Sequence, residues 1–227
     1  MPPFLILKLD GVMQSWGDHS YENYRPSRDF PTRSALLGLL AACLGIDRSD
    51  ISSLKRLQGS VHFTVRADSK RIRDERGRSR PVTRTKMRDY HTVLHARRAS
   101  RDPRQGETIE TEREYLNDAV FTVVVEARAN APLRLEDVRN AVLRPIYTPF
   151  LGRRACPLSR PLFEAWNMEA PDALVALAAV APTGGSICSE TIKSGQPMQW
   201  RDEPLYGRTR RFASRELYLL GGRNVAQ

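Results

Sequence analysis

Apolar residues fall along this chain in short blocks whose spacing changes from one block to the next. Residues 4–9, FLILKL, are apolar at every position but Lys8 and read as a buried strand. Residues 31–44, PTRSALLGLLAACL, carry a proline in the first turn and apolar side chains at Leu36, Leu37, Leu40, Cys43 and Leu44, with Gly45 next. That is the pattern of a helix followed by its stop. Ser49 or Asp50 can cap a second, short helix reaching about Leu57. Residues 61–67 set Val61, Phe63, Val65 and Ala67 against His62, Thr64 and Arg66, the alternation of a strand with one covered face. Residues 119–127, AVFTVVVEA, give the strongest strand signal in the chain. Residues 135–143 form a helix that turns Val138, Ala141 and Val142 inward and closes before Pro145.

The order strand, helix, strand, charged insertion, strand, helix is most of a β-α-β-β-α-β ferredoxin-like (RRM-like) unit. The insertion lies between its second and third strands, where a long hairpin could project. The last third is less regular: residues 173–180 read as a short helix, 198–201 and 211–220 as strands, with prolines and glycines between. The expected class is therefore α+β. All 227 residues form one domain, with an insertion over about 70–115 and an irregular, β-rich extension over about 145–227.

Charge changes this picture because it is concentrated. The net charge is +10, from 36 basic and 26 acidic residues. Residues 70–104 hold thirteen of the basic residues, eleven of them arginine, and four acidic ones: an excess of nine in that stretch alone. Such a field implies a polyanionic partner, and arginine's planar fork suits phosphate and stacks on bases. The longest apolar run, LLGLLAACLGI over 36–46, is far short of the roughly 20 residues a membrane span needs. No basic helix with a broad apolar stripe accompanies it, so a membrane role is not expected. The N-terminal residues lack a signal-peptide pattern, and the three scattered cysteines, Cys43, Cys156 and Cys188, fit a reducing, cytoplasmic setting without zinc or disulfides.

Three stretches carry candidate chemistry. Residues 86–98, KMRDYHTVLHARR, place Lys86, Arg88, Tyr90, His91, His95, Arg97 and Arg98 together. Lys86, Tyr90 and His91 are the groups a metal-independent endoribonuclease would use, with a base for the 2′-hydroxyl, a cation for the phosphorane and an acid for the leaving oxygen. They are equally the groups that hold RNA uncut. His91 and His95 are spaced for a shared metal on a helix, but no third ligand is evident, and neither a metal nor a cofactor is expected. Residues 11–34 bring Trp16, Tyr21 and Tyr24 among Arg25, Arg28 and Arg33 ahead of a helix start, a combination suited to unstacked bases and phosphates. Residues 147–158, YTPFLGRRACPL, set Gly152 before Arg153 and Arg154, so that backbone can approach a ligand between two guanidinium forks.

Taken together, LILKLDGVMQSWG, RPSRDFPTRSALLGLLAACLGI, RDYHTVLHAR, REYLNDAVFTVVV, YTPFLGRRACPL and RRFASRELY resemble, in order along most of the chain, the CasD (Cas five-type) family of type I-E CRISPR Cascade subunits. The resemblance implies a RAMP fold, a ferredoxin-like body with an inserted β-hairpin thumb. It implies a non-catalytic role in antiviral DNA interference: capping the 5′ handle of the crRNA and contacting the backbone (Cas seven-type) subunit and the large PAM-reading subunit. Target DNA is then met only indirectly, since guide pairing reads it. In another subtype the equivalent protein is a ribonuclease, so processing of precursor crRNA is the rival reading. The implied RNA contacts are Gln14, Ser15, Trp16, Arg25, Arg33, Ser34, Arg88, Tyr90, His91, Arg97, Arg98, Tyr147, Thr148, Gly152, Arg153 and Arg154. The arginine loading over 70–88 departs from the family pattern, as does the scarcity of glycine around Gly152.

Overall fold

The computed structural model describes residues 3–69, 71–82, 84–96, 107–182, 184–209 and 211–221. The chain opens with β1 (Phe4–Asp10), then four two-residue strands: β2 (Met13–Gln14), β3 (Trp16–Gly17), β4 (Tyr24–Arg25) and β5 (Ser27–Arg28). Helices α1 (Arg33–Leu44) and α2 (Ile51–Gln58) precede β6 (Val61–Ala67). Two hairpins follow, β7 (Arg71–Arg73) with β8 (Ser79–Pro81), and β9 (Thr85–Ala96) with β10 (Glu107–Asn117). Then come β11 (Val120–Ala127), α3 (Leu135–Leu143), β12 (Phe163–Asn167), α4 (Ala173–Ala178), β13 (Ile187–Ser189), β14 (Gln196–Leu205) and β15 (Arg211–Leu220).

One antiparallel sheet of seven strands, in the order β12-β1-β11-β6-β13-β15-β14, forms the body. Its central strands are covered on both sides. Leu5, Leu7 and Leu9 of β1 join Phe121, Val123 and Val125 of β11 and Phe63 and Val65 of β6 in the larger core, with Leu36, Leu37 and Leu40 of α1 and Val138 and Val142 of α3. Phe4, Ile6 and Val124 point the other way, onto Ala173, Ala176 and Leu177 of α4. Two covered faces explain why residues 4–9 and 120–125 are apolar except at Lys8 and Thr122, which pair across β1 and β11 and share a hydrogen bond. α1 starts at Arg33 rather than Pro31, because Thr32 stays extended at φ −76° and ψ 151° as the residue before the first turn.

The C-terminal third is more regular than its sequence suggests. Residues expected as a strand over 198–201 belong to the ten-residue β14, and β12 and β13 give no clear sequence signal. Pro197 and Pro204 argue against a strand, yet β14 is the last strand of the sheet, and an outer edge tolerates residues that cannot donate to a ladder. A register shift between Arg201 and Glu203 turns Asp202 inward.

That bulge builds a buried ion network. The Arg33 guanidinium meets Glu190 and Glu203, each at 2.6 Å, and donates to the carbonyls of Gln58 and Val61. Arg215 meets Asp202 at 2.6 Å and Glu190 at 3.1 Å. Burial pushes the Glu190 carboxyl up, but the hydrogen bond with His62 and the charges of Arg33 and Arg215 outweigh it and hold the group below its ordinary range. A carboxyl held low in the folded state stabilises fully above its unfolded value, and that contribution drains as pH falls through the folded value. Acid unfolding of Glu190→Gln, followed by circular dichroism, should therefore be less steep than that of the parent chain. An identical acid limb would remove Glu190 from this explanation.

Candidate functional site

The hairpin of β9 and β10 is rooted in the body by its lower end. Leu116 and Asn117 pair with Gln14 and Met13 of β2, and Glu112 and Arg113 pair in parallel with Tyr24 and Arg25 of β4. Strand alternation then sorts the side chains. One face carries Lys86, Arg88 and Tyr90 opposite Leu116, Glu114 and Glu112; the other carries Met87, Asp89 and His91 opposite Tyr115, Arg113 and Thr111. Near the root the second face is core, with Tyr115 buried and Met87 packed against it.

The basic side chains of the first face have close acidic neighbours. Arg88 meets Glu112 at 3.1 Å and lies over the Tyr24 ring at 5.0 Å. Tyr24 donates to Glu114, which raises its phenol pKa. Lys86 meets Asp29 at 3.2 Å and donates to the Ser27 carbonyl. Tyr90 is exposed, and its hydrogen bond with Glu110 raises its phenol pKa. These glutamates are the neighbours of the candidate residues that the sequence motifs do not reveal. The basic stretch ends at 104, just short of the strand carrying Glu107, Glu110, Glu112 and Glu114. Across β9 and β10 there are three basic residues (Lys86, Arg88, Arg113) against five acidic ones (Asp89 and those four glutamates), so the shaft is not the source of the positive field.

The three residues of the ribonuclease reading are not brought together. Lys86 and Tyr90 share a face but stand four residues apart on an extended strand, roughly 13 Å at the usual rise per residue. His91 is on the opposite face, paired with Asp89. The same geometry separates His91 from His95, whose spacing suits a metal only on a helix. Arg97 and Arg98 lie outside the described residues.

The loop after α3 approaches the root of this hairpin. The amides of Ile146 and Tyr147 donate to the carbonyls of Cys43 and Ala42 at the end of α1, leaving Tyr147 and Thr148 exposed. Leu151 is buried, and its carbonyl accepts from Ser15 N–H at 3.1 Å. Gly152 follows at φ +87°, where a Cβ would stand 1.8 Å from the Ser15 carbonyl oxygen. Only glycine allows this seat. It delivers Arg153 to the root: the guanidinium donates to the Arg25 carbonyl at 3.2 Å and lies 5.0 Å from the Tyr115 ring centre. Its Nη1 is enclosed and has no hydrogen-bond acceptor among the described residues. Arg154 is exposed beside it and Arg25 is half-buried.

Several expected contacts serve the fold instead. Trp16 is fully buried, edge-on to Phe121, so it offers no face to a base. Its indole N–H donates to Gln14 Oε1, and the Gln14 amide donates to the carbonyls of Leu9 and Ala119, which ties the hairpin root to the sheet. Ser15 is buried and donates to the Glu114 carbonyl. Arg33 is spent on the ion network. The start of α1 offers no free site for phosphate at Arg33, since its N–H donates to Asp202 Oδ2 at 2.7 Å and that carboxylate already answers the positive end of the helix. Ser34, in the first turn, is half-buried, its hydroxyl 3.4 Å from that of Thr32. Of the predicted residues, Gly152 and Arg153 meet the Arg25 strand at the hairpin root, with exposed Arg154 next in the chain. Tyr147 and Thr148 are exposed beside the end of α1, and Arg88 and Tyr90 lie on β9.

A family model described as CRISPR-associated protein (Cas_Cas5) matches residues 4–218. The chain is 48% identical over 230 residues to CRISPR system Cascade subunit CasD of Escherichia coli (strain K12), with 100% of each chain covered. It also resembles a chain of a solved CRISPR RNA-guided surveillance complex, with a TM-score of 0.70 and 29% identity over 96% of this chain and 89% of that one. A crystal structure of a Cas protein gives a TM-score of 0.58 and 26% identity over 94% and 93% of the two chains. A match over nearly the whole sequence, with near half identity to one relative, leaves one conclusion: the chain belongs to the Cas_Cas5 family of CRISPR-associated proteins.

Proposed function

We propose that this chain is the Cascade subunit that holds the 5′ handle of the crRNA without cutting it. The observation that carries the reading is the seat of Gly152, which sets Arg153 and Arg154 beside Arg25 at the root of the long hairpin and leaves an enclosed Arg153 donor without an acceptor. In this reading those three arginines and Arg88 bind phosphates, while Tyr147 and Tyr90 flank bases. The strand order β12-β1-β11-β6, with α1 and α3 in the two crossovers, supports a ferredoxin-like RAMP body, and β9 with β10 supports a thumb. The thumb then reaches the backbone subunit and another side meets the large PAM-reading subunit. Four phosphates neutralised on a single strand give a slope of about −3 in log affinity against log salt. Binding of handle RNA without salt dependence would count against the reading.

The subunit is proposed to be non-catalytic. Incubated with repeat RNA and EDTA, the purified chain should bind and leave the RNA intact, and His91→Ala should change neither result. Specific cleavage that vanishes in His91→Ala would replace this proposal with the ribonuclease.

A further inference from the structure

The hairpin of β7 and β8 has no part in the handle site, yet it holds a dense share of the positive charge. Residues 71–81 contain five arginines against Asp74 and Glu75. Arg73, Arg76, Arg78 and Arg80 are all exposed. None of residues 72–80, the part of the hairpin whose side chains are described, belongs to either core cluster, so packing does not account for them.

The hairpin is built to present these groups. Gly77 N–H donates to the Asp74 carbonyl and Asp74 N–H to the Arg78 carbonyl, with Gly77 at φ +73° closing a three-residue loop. Asp74 then organises the arginines around it. Its Oδ1 accepts from the backbone N–H of Arg76 and Arg78, and its Oδ2 lies 3.1 Å from the Nε of both Arg78 and Arg80. One carboxylate thus holds two guanidinium groups by their inner edges. Their side chains remain 57% and 61% exposed. Because both Nε atoms lie 3.1 Å from one Asp74 oxygen, the two guanidinium groups are held side by side, close enough to meet neighbouring phosphates of one strand. An exposed pair of this kind adds little to stability, but a fork already held in place loses less freedom when it binds phosphate.

We propose that the β7–β8 hairpin is a second nucleic-acid contact of this chain, a sequence-independent clamp on a phosphate backbone. Arg76, Arg78 and Arg80 are the binding groups and Asp74 the positioning residue. The backbone has two possible sources, single-stranded RNA or duplex DNA, and they share the same chemistry.

The test uses the full-length chain, a 20-nucleotide oligo-U RNA without handle sequence, and a 20-base-pair DNA duplex. Affinities are measured across a salt series for the parent, R76A/R78A/R80A and R76K/R78K/R80K. Three phosphate contacts at about 0.7 to 0.9 each predict a slope about 2 to 3 shallower for the alanine variant on one probe or both, and which probe responds identifies the source. The lysine variant should keep the parental slope with weaker binding, because charge remains and the fork is lost. A parental slope and affinity for the alanine variant on both probes would overturn the proposal; it would then leave the hairpin to an acidic protein face. R153A/R154A, measured in parallel on handle RNA, reports on the handle reading separately.

Discussion

Arg33→Ala is expected to destabilise the fold by about 3–5 kcal/mol, the range for removing one member of a buried ion pair. The side chain is almost wholly enclosed, and its loss leaves Glu190 and Glu203 without their 2.6 Å partner in a region that water does not reach freely. The carbonyls of Gln58 and Val61 lose their donor as well. The damage spans the molecule, because the network joins the start of α1 and the edge of β6 to the β14–β15 hairpin through Glu190, Asp202 and Arg215. Arg33→Lys should recover only part of the loss, since a single ammonium cannot reach two carboxylates and two carbonyls in that planar arrangement. Thermal unfolding measures this directly: in a chain of this size each kcal/mol moves the midpoint by about 2–4 °C. A phosphate-binding Arg33 would give the reverse result, an unchanged midpoint with weakened RNA binding.

The second large effect is expected at Gly152. An added Cβ at 1.8 Å from the Ser15 carbonyl oxygen meets backbone, which cannot swing aside as a flexible side chain would. The positive φ adds strain of about 1–3 kcal/mol for any other residue. The loop must therefore leave its seat, and Arg153 leaves Arg25 and Tyr115 with it. Gly152→Ala should weaken handle RNA binding by about tenfold or more, the scale of one lost charge-assisted hydrogen bond at roughly 1.5–3 kcal/mol. Stability should fall as well, because Leu151 beside it is fully buried, so affinity is compared per folded molecule. Affinity equal to that of the parent chain would show that the seat of Gly152 has no bearing on RNA.

The body of the fold was legible because its elements bury apolar residues at regular spacing. The runs at 4–9, 61–67 and 119–127 and the helix at 135–143 stand within a residue or so of where periodicity puts them. The long hairpin was legible only as a place where one could project. Its shaft alternates charge with charge rather than polar with apolar, so TIETEREY gives no hydrophobic period to read. For the same reason the excess over residues 70–104 reads as one continuous positive stretch. The glutamates of β10 stand in the sequence just past the basic stretch, but only the pairing of the two strands brings Glu112 to Arg88. At the site, residue type alone was a poor guide. Arg33 and Arg153 are both arginines near aromatic side chains, but one lies behind a carboxylate from a strand about 170 residues on and the other lies beside solvent-facing Arg154. Long-range partners such as Asp202 decide such cases, and a local motif does not contain them.

The proposed grip of the Gly152 loop and the hairpin root on the 5′ end of the guide can be read directly in the assembled particle. Ultraviolet cross-linking of the assembled ribonucleoprotein, carrying photoreactive nucleotides in the 5′ handle, tests it most directly by mass spectrometry of the linked peptides. Cross-links from the handle to peptides containing residues 147–154 and to the Tyr24–Arg25 strand are the predicted result. Handle cross-links confined to other subunits, with the peptide of Arg153 and Arg154 unmodified, would contradict it.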